Sequence, residues 1–227
     1  MLRARPRRLR LLASTLVVAL IASGCFGDDT PPDTTLAAGL SPEEVVTTLM
    51  DLIIQGRFEE TGDLTDSAHA ALLTLAEGAD ASEVVEAVEA GGEDVAANFW
   101  SGFAQTLDPG VAVDDFEVSA GEAVTQDNEE FVTVTLTPAE GDPRYFVVRR
   151  AEEWTVDLMA TFGPVLAERL IPPIESLLSS AHADASKVLG YLAGAAPSLR
   201  VSTSRPDLPP EAHQSLLALI ERVTRSG

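Results

Sequence analysis

The run "EFVTVTLTPA", residues 130–139, alternates with period two: Val132, Val134 and Leu136 fall on one side, Thr133 and Thr135 on the other. That is the pattern of a β-strand with one buried face. Its neighbours "VAVDDFEVSA", "RYFVVRRA" and "EWTVDLMATF" are equally short and rich in valine, threonine and aromatics. Asp127-Asn128 and Gly141-Asp142-Pro143 supply turn chemistry between them. The stretch from residue 111 to 162 therefore reads as an antiparallel meander.

The preceding residues change period. "SPEE" sets Ser41 as N-cap, Pro42 at the first helical position and Glu44 three residues after the cap. Val45, Val46, Leu49, Met50, Ile53 and Ile54 follow at helical spacing, and Gly56 ends the helix. Further helices are expected near residues 66–76, in "DASEVVEAVEAGG", and in "EDVAANFWSGFAQTL", where Ala96, Phe99, Trp100, Phe103 and Leu107 form a core-facing stripe. Helices followed by a meander give the α+β class, with a curved antiparallel sheet wrapped on helices. Both Trp100 and Trp154 are expected in its core.

From Gly163-Pro164 onward the pattern is helical again, with a break expected at Pro172-Pro173 and a loop or short strand over "SLRVSTSRPDLPP". Leu166, Leu170, Ile174, Leu177 and Leu178, then Leu216, Leu217, Ile220 and Val223, are expected to face inward. Such faces are too apolar for a disordered tail.

The amino terminus speaks of location. Residues 1–10 hold five arginines and no acid, and residues 11–22, "LLASTLVVALIA", form an uncharged run. A membrane-spanning helix needs about 20 apolar residues, so this is an export signal rather than a span. Ala22-Ser23-Gly24 precede Cys25, the one cysteine of the chain. This order resembles the lipobox of bacterial lipoproteins. The resemblance implies cleavage after residue 24, lipid on Cys25, and attachment to the extracytoplasmic side of the cell membrane. Arg10 stands where a twin-arginine signal prefers an apolar residue, which favours the general secretory route. Residues 26–40, with Asp28, Asp29, Pro31, Pro32 and Asp33, read as an acidic tether. The expected organisation is signal peptide 1–24, tether 25–40, α+β domain 41–161 and helical extension 162–227.

Removing the signal leaves ten of the fifteen basic residues against thirty-six acidic ones, a net charge near −26. Nucleic acid is not expected as a partner, because affinity there rests largely on neutralising phosphates. The charge also holds the domain off anionic lipid. No paired histidines, phosphate-binding loop, nucleophile elbow or calcium loop is present, so neither metal nor cofactor is expected. His182-Ala-Asp184 offers only a weak metal spacing and is read as a solvated helix surface.

"VVTTLMDLIIQGRFEETGDL" (residues 45–64) and "RYFVVRRAEEWTVDLMAT" (residues 144–161) together resemble the opening and closing segments of nuclear transport factor 2-like, or cystatin-like, cone domains. That resemblance spans residues 41–161 and implies either a binding module or an enzyme with a carboxylate inside the cone. Asp157, placed on the last strand, is the candidate general base, with a raised pKa if it lines the cone; otherwise it points to solvent or pairs with a neighbouring arginine. Arg144, Arg149 and Arg150 are candidates for an anionic ligand, although cross-strand pairing with neighbouring acids accounts for them more simply. The reading favoured is a lipid-anchored envelope module that binds a ligand or partner protein without chemistry. The alternatives are a cone-type isomerase or hydrolase, and a structural envelope component.

Overall fold

A helix opens the described chain because its first turn is locally closed. Ser41 N–H donates to Glu44 Oε2 at 2.8 Å and Glu44 N–H donates back to Ser41 Oγ at 3.3 Å. The computed structural model describes residues 36–225, and these form one compact unit. Cys25, the signal and most of the tether lie outside the described residues.

The helical elements before the sheet are α1 (Pro42–Ile54), a 3-10 turn (Phe58–Leu64), α2 (Ser67–Leu73), α3 (Ala81–Glu89) and α4 (Glu93–Ala104). The strands are β1 (Phe116–Ala120), β2 (Val124–Gln126), β3 (Glu129–Pro138), β4 (Arg144–Arg150) and β5 (Trp154–Val156). Four helices follow: α5 (Leu158–Leu178), α6 (Ala183–Gly194), α7 (Ala196–Val201) and α8 (Pro210–Thr224). The class is α+β, as the periodicity predicts, with a curved and open antiparallel sheet.

Strand order is β1-β3-β4-β5, with β2 pairing the first residues of β3. Asp127 and Asn128, at φ 50° and 69°, form the two-residue turn joining β2 to β3, the geometry that suits a right-twisted hairpin. Val132 faces Val148 and Val134 faces Phe146 across β3 and β4. That face carries the main core together with Leu49, Met50 and Ile53 of α1 and Trp100 of α4. The other face holds Phe131 and Val147, packed with Ala160 and half-buried Val201 from the helices that follow the sheet.

Several expectations change. The strand pattern "EWTVDLMATF" ends at Val156. Asp157 is the N-cap of α5, its Oδ1 accepting the Ala160 N–H at 2.8 Å. Helix α5 continues through Pro172-Pro173 to Leu178, and it also runs across residue 161, where the sequence placed a segment boundary. "SLRVSTSRPDLPP" begins in α7 and a 3-10 turn rather than a strand, because Ser198, Leu199 and Ser202 are buried beneath it. Leu217 and Leu178 are 49% and 41% exposed. On α8 the inward set is Leu216, Leu219 and Val223, with Ile220 half-buried. Trp154 is half-buried beside the Arg150 guanidinium, so the core tryptophan is Trp100 alone. The end of the expected tether is part of the fold, since Ala37 is buried.

Two glycines mark close approaches. A Cβ on Gly163 would meet Leu199 Cδ2 at 2.8 Å, where α7 crosses α5. Gly92, at φ +74°, would put one 2.3 Å from the Ser67 carbonyl. Proline also shapes α5. Pro164 has no N–H to offer Ala160 O, its partner four residues earlier. That carbonyl instead accepts from Ser202 Oγ at 2.7 Å and Arg205 Nη1 at 3.2 Å.

Candidate functional site

Asp157 ends β5 and caps α5, and this position puts its carboxylate fully inside the protein. A buried carboxylate needs partners, and it has several. His69 on α2 donates Nδ1–H to Oδ1 at 3.0 Å, Ser198 on α7 donates its hydroxyl to Oδ2 at 2.6 Å, and the Ala160 N–H completes Oδ1. Arg149 Nε lies 3.6 Å from Oδ2. Because the partner of His69 Nδ1 is a carboxylate, Nδ1 carries the proton and Nε2 is the ring nitrogen left over.

Arg149 leaves the sheet on the face of Phe131 and Val147. It pairs with Asp66 at the foot of α2 and with Glu129 Oε1 at 3.0 Å. Asp66 Oδ2 is in turn 3.5 Å from His69 Nδ1. The result is a buried ionic node drawn from α2, β4, the β5–α5 junction and α7. It forms one wall of a pocket of about 360 Å³ between α2, α3 and α6.

Burial alone would push the His69 imidazole down. The charge and hydrogen bond of Asp157, with Asp66, outweigh that and the opposing Arg149 charge, so its pKa lies above the ordinary value. Burial would likewise raise Asp157. The His69 charge and the hydrogen bonds from His69, Ser198 and Ala160 hold it below the ordinary value instead. The raised pKa expected of Asp157 depends on its lining the cone; it instead caps α5 with Arg149 beside it, and its pKa is held below the ordinary value.

These shifts make stability depend on pH. The His69 contribution is fully present below about 6.5 and is lost as pH rises through its higher folded value. The Asp157 contribution is present above about 3.9 and is lost as pH falls through its lower one. Thermal melts should peak between roughly pH 4 and 6.5, and His69→Gln should remove the alkaline decline. An identical alkaline decline in His69→Gln would show that the imidazole is not its source.

The arginine trio separates in space. Arg149 joins the node. Arg150 pairs with Glu130 across the strands at 3.5 Å, as the simpler expectation has it. Arg144 lies over the Phe103 ring and donates to Thr106 O at 3.3 Å. His69, Asp66 and Ser198 escaped the sequence reading. His69 sits in "SAHAALL", and nothing local links it to a residue 88 positions away. His182 is exposed at the start of α6. Among the described residues no acid, histidine or cysteine cluster is suited to hold a metal, and no helix is long and apolar enough to cross a membrane.

A second cavity differs in kind. A groove of about 730 Å³ runs between α2, α4 and α5, walled by Leu73, Val95, Phe99, Phe103, Phe162 and Leu166. Asn98, Thr106 and Glu77 are among its few polar groups, and Val165 at its edge is 65% exposed. Behind it, Trp100 packs against Phe99, Phe103 and Phe162 with ring centroids 5.3 to 5.8 Å apart.

No family model, curated protein or solved structure matches this chain.

Proposed function

We propose that this protein is a lipid-anchored cell-envelope module that binds an acyl-chain ligand in the groove between α2, α4 and α5, without transforming it. The groove is the observation that carries the reading. Its volume lies inside the ~300–1,000 Å³ range of small-molecule sites, and its walls are aromatic and aliphatic with a few polar groups. Gly102 on α4 keeps it open, for a Cβ there meets nothing within 4 Å. The lipobox order ending at Cys25 supports the anchor. The space between the sheet and α1 is filled by side chains such as Leu49, Leu136, Phe146 and Trp100. That favours binding in the groove over chemistry inside a cone.

The test uses protein extracted from its native membrane. Its intact mass should show residues 1–24 lost and acyl mass added at Cys25. The same preparation should bind a dansyl-labelled fatty acid saturably, with energy transfer from Trp100 to the label. Gly102→Leu should weaken binding about tenfold or more, equivalent to ~1.4 kcal/mol, while the melting temperature holds. A free thiol at Cys25 would remove the anchor from the reading. Probe binding unchanged by Gly102→Leu would remove the groove.

A further inference from the structure

The pocket beside the ionic node has features that a purely structural ion cluster does not need. Gly190 and Gly194 stand four residues apart on α6 and line it together with Tyr191. Glycine in a helix interior, as at Gly190, costs about 1 kcal/mol relative to alanine and is usually explained by close packing or function; Gly194 is the last residue of α6, where glycine is ordinary. Close packing is absent here, because a Cβ at either position meets nothing within 4 Å. Gly190, in the helix interior, leaves this side of the pocket unfilled.

His69 lines that space although the residue is only 7% exposed. Asp157 fixes its ring through Nδ1, and Nε2 makes no hydrogen bond to another described residue. A carboxylate behind one nitrogen with the other free raises the basicity of the free one and fixes the tautomer. The charged and titratable groups around the imidazole are Asp66 from its own helix, Arg149 from β4, Asp157 at the head of α5 and Tyr191 from α6. Glu129 bears on Arg149 from β3. The charged groups that line the pocket beside His69 are Asp66 and Arg149, already paired with each other, so no unpaired charge is offered to an ionic substrate. Leu72, Val88, Ala68 and Ala195 give the remaining walls an apolar character.

We infer that this pocket is a proton-transfer site in which His69 Nε2 is the general base and Asp157 the positioning residue, acting on a small neutral carbon acid. In the step, the Nε2 lone pair forms an N–H bond as the substrate C–H breaks. The electron pair of that C–H stays on the substrate, and Asp157 remains ionised against the resulting imidazolium. This site is separate from the groove and does not rest on the binding reading.

The test uses nitrobenzisoxazole as probe and the whole chain as catalyst. Removal of its ring C–H proton forms the nitrile while the N–O bond opens, and the pair from that bond leaves as a coloured phenolate, so no other reactant is needed. Wild type should exceed His69→Gln by at least about tenfold, less than the ~10²–10⁴ of a base matched to its substrate. The rate should rise with pH through an inflection above the ~6.5 of a free imidazole. Gly190→Leu, which fills the pocket from an exposed helix position, should lower the rate to the same extent. It should leave the melting temperature at least as high and fatty-acid binding in the groove unchanged. If His69→Gln fails to fold, Gly190→Leu decides alone. Equal rates for wild type and a folded His69→Gln, or a Gly190→Leu protein as fast as wild type, would overturn the assignment.

Discussion

Asp157→Ala should destabilise the protein by about 3–5 kcal/mol, the cost of breaking a buried ion pair by removing one partner. The carboxylate is fully buried and gathers His69, Ser198 and the Ala160 N–H, with Arg149 Nε nearby. Alanine leaves the Ser198 hydroxyl and the Ala160 N–H without an acceptor and His69 with Asp66 alone, while Arg149 keeps Asp66 and Glu129. It also removes the N-cap of α5, itself worth ~1 kcal/mol. Total stabilities are only ~5–15 kcal/mol, so the variant should unfold at a much lower urea concentration or fail to accumulate. Asp157→Asn should be milder, since one amide oxygen still serves the cap and His69. A Ser198→Ala protein should lose less again, because it removes one donor and leaves the charges paired. If Asp157→Ala melts within a degree or two of wild type, the node is not what holds α2, β4, α5 and α7 together.

Trp100→Ala should be comparably severe, at ~3–5 kcal/mol, a fall in melting temperature of roughly 6–20 °C for a chain of this size. The indole is wholly buried and packs with Phe99, Phe103, Phe146 and Phe162, and its Nε1–H donates to Thr65 Oγ1 at 3.1 Å. Thr65 also forms an isolated bridge to Val156 beside the sheet. Truncation would therefore open a cavity and strip a partner from a residue that ties the helices to β5. Trp100→Phe separates these effects, for it keeps most of the volume and loses the hydrogen bond. Trp154→Ala is the control. Its ring is half-buried at the edge, so it should cost clearly less, and an equal loss at the two positions would mean the core is centred elsewhere.

Local rules carried the reading of this fold a long way. The Ser41–Glu44 capping box, the valine–threonine alternation of β3 and the Asp127-Asn128 turn each act within a few residues, and each is visible in the chain as written. The reading failed where a tertiary partner chooses between two local possibilities. Trp154-Thr155-Val156 pairs with β4 for three positions only, and after that Asp157 finds better use as a helix cap. Pro172-Pro173 looks like a helix break, yet α5 carries both within a continuous helix. On α8, a shift of the buried stripe to Leu219 exchanges it with Leu217, a rotation that spacing alone does not resolve.

The polar node was half legible. Asp157 and Arg149 stood out as an acid inside a strand pattern and a basic residue in a strongly acidic chain. His69 and Ser198 did not, because they reach Asp157 from 88 and 41 positions away. The direction of the Asp157 shift followed from those unseen partners. Burial by itself raises a carboxylate, and only the donors that the fold delivers reverse it.

The proline in the first turns of α5 has a consequence for biosynthesis. Pro164 leaves Ala160 O without its helical donor, and the replacements come from Ser202 and Arg205, the former 42 residues further along. While the nascent chain is still short of that point, this carbonyl has only water to bond, as does the carboxylate of Asp157 on its Ser198 side. Domains emerging during synthesis fold as units once their partners are available. Here the missing donors follow 41 to 45 residues later, so the head of α5 closes only after the chain through Arg205 has emerged.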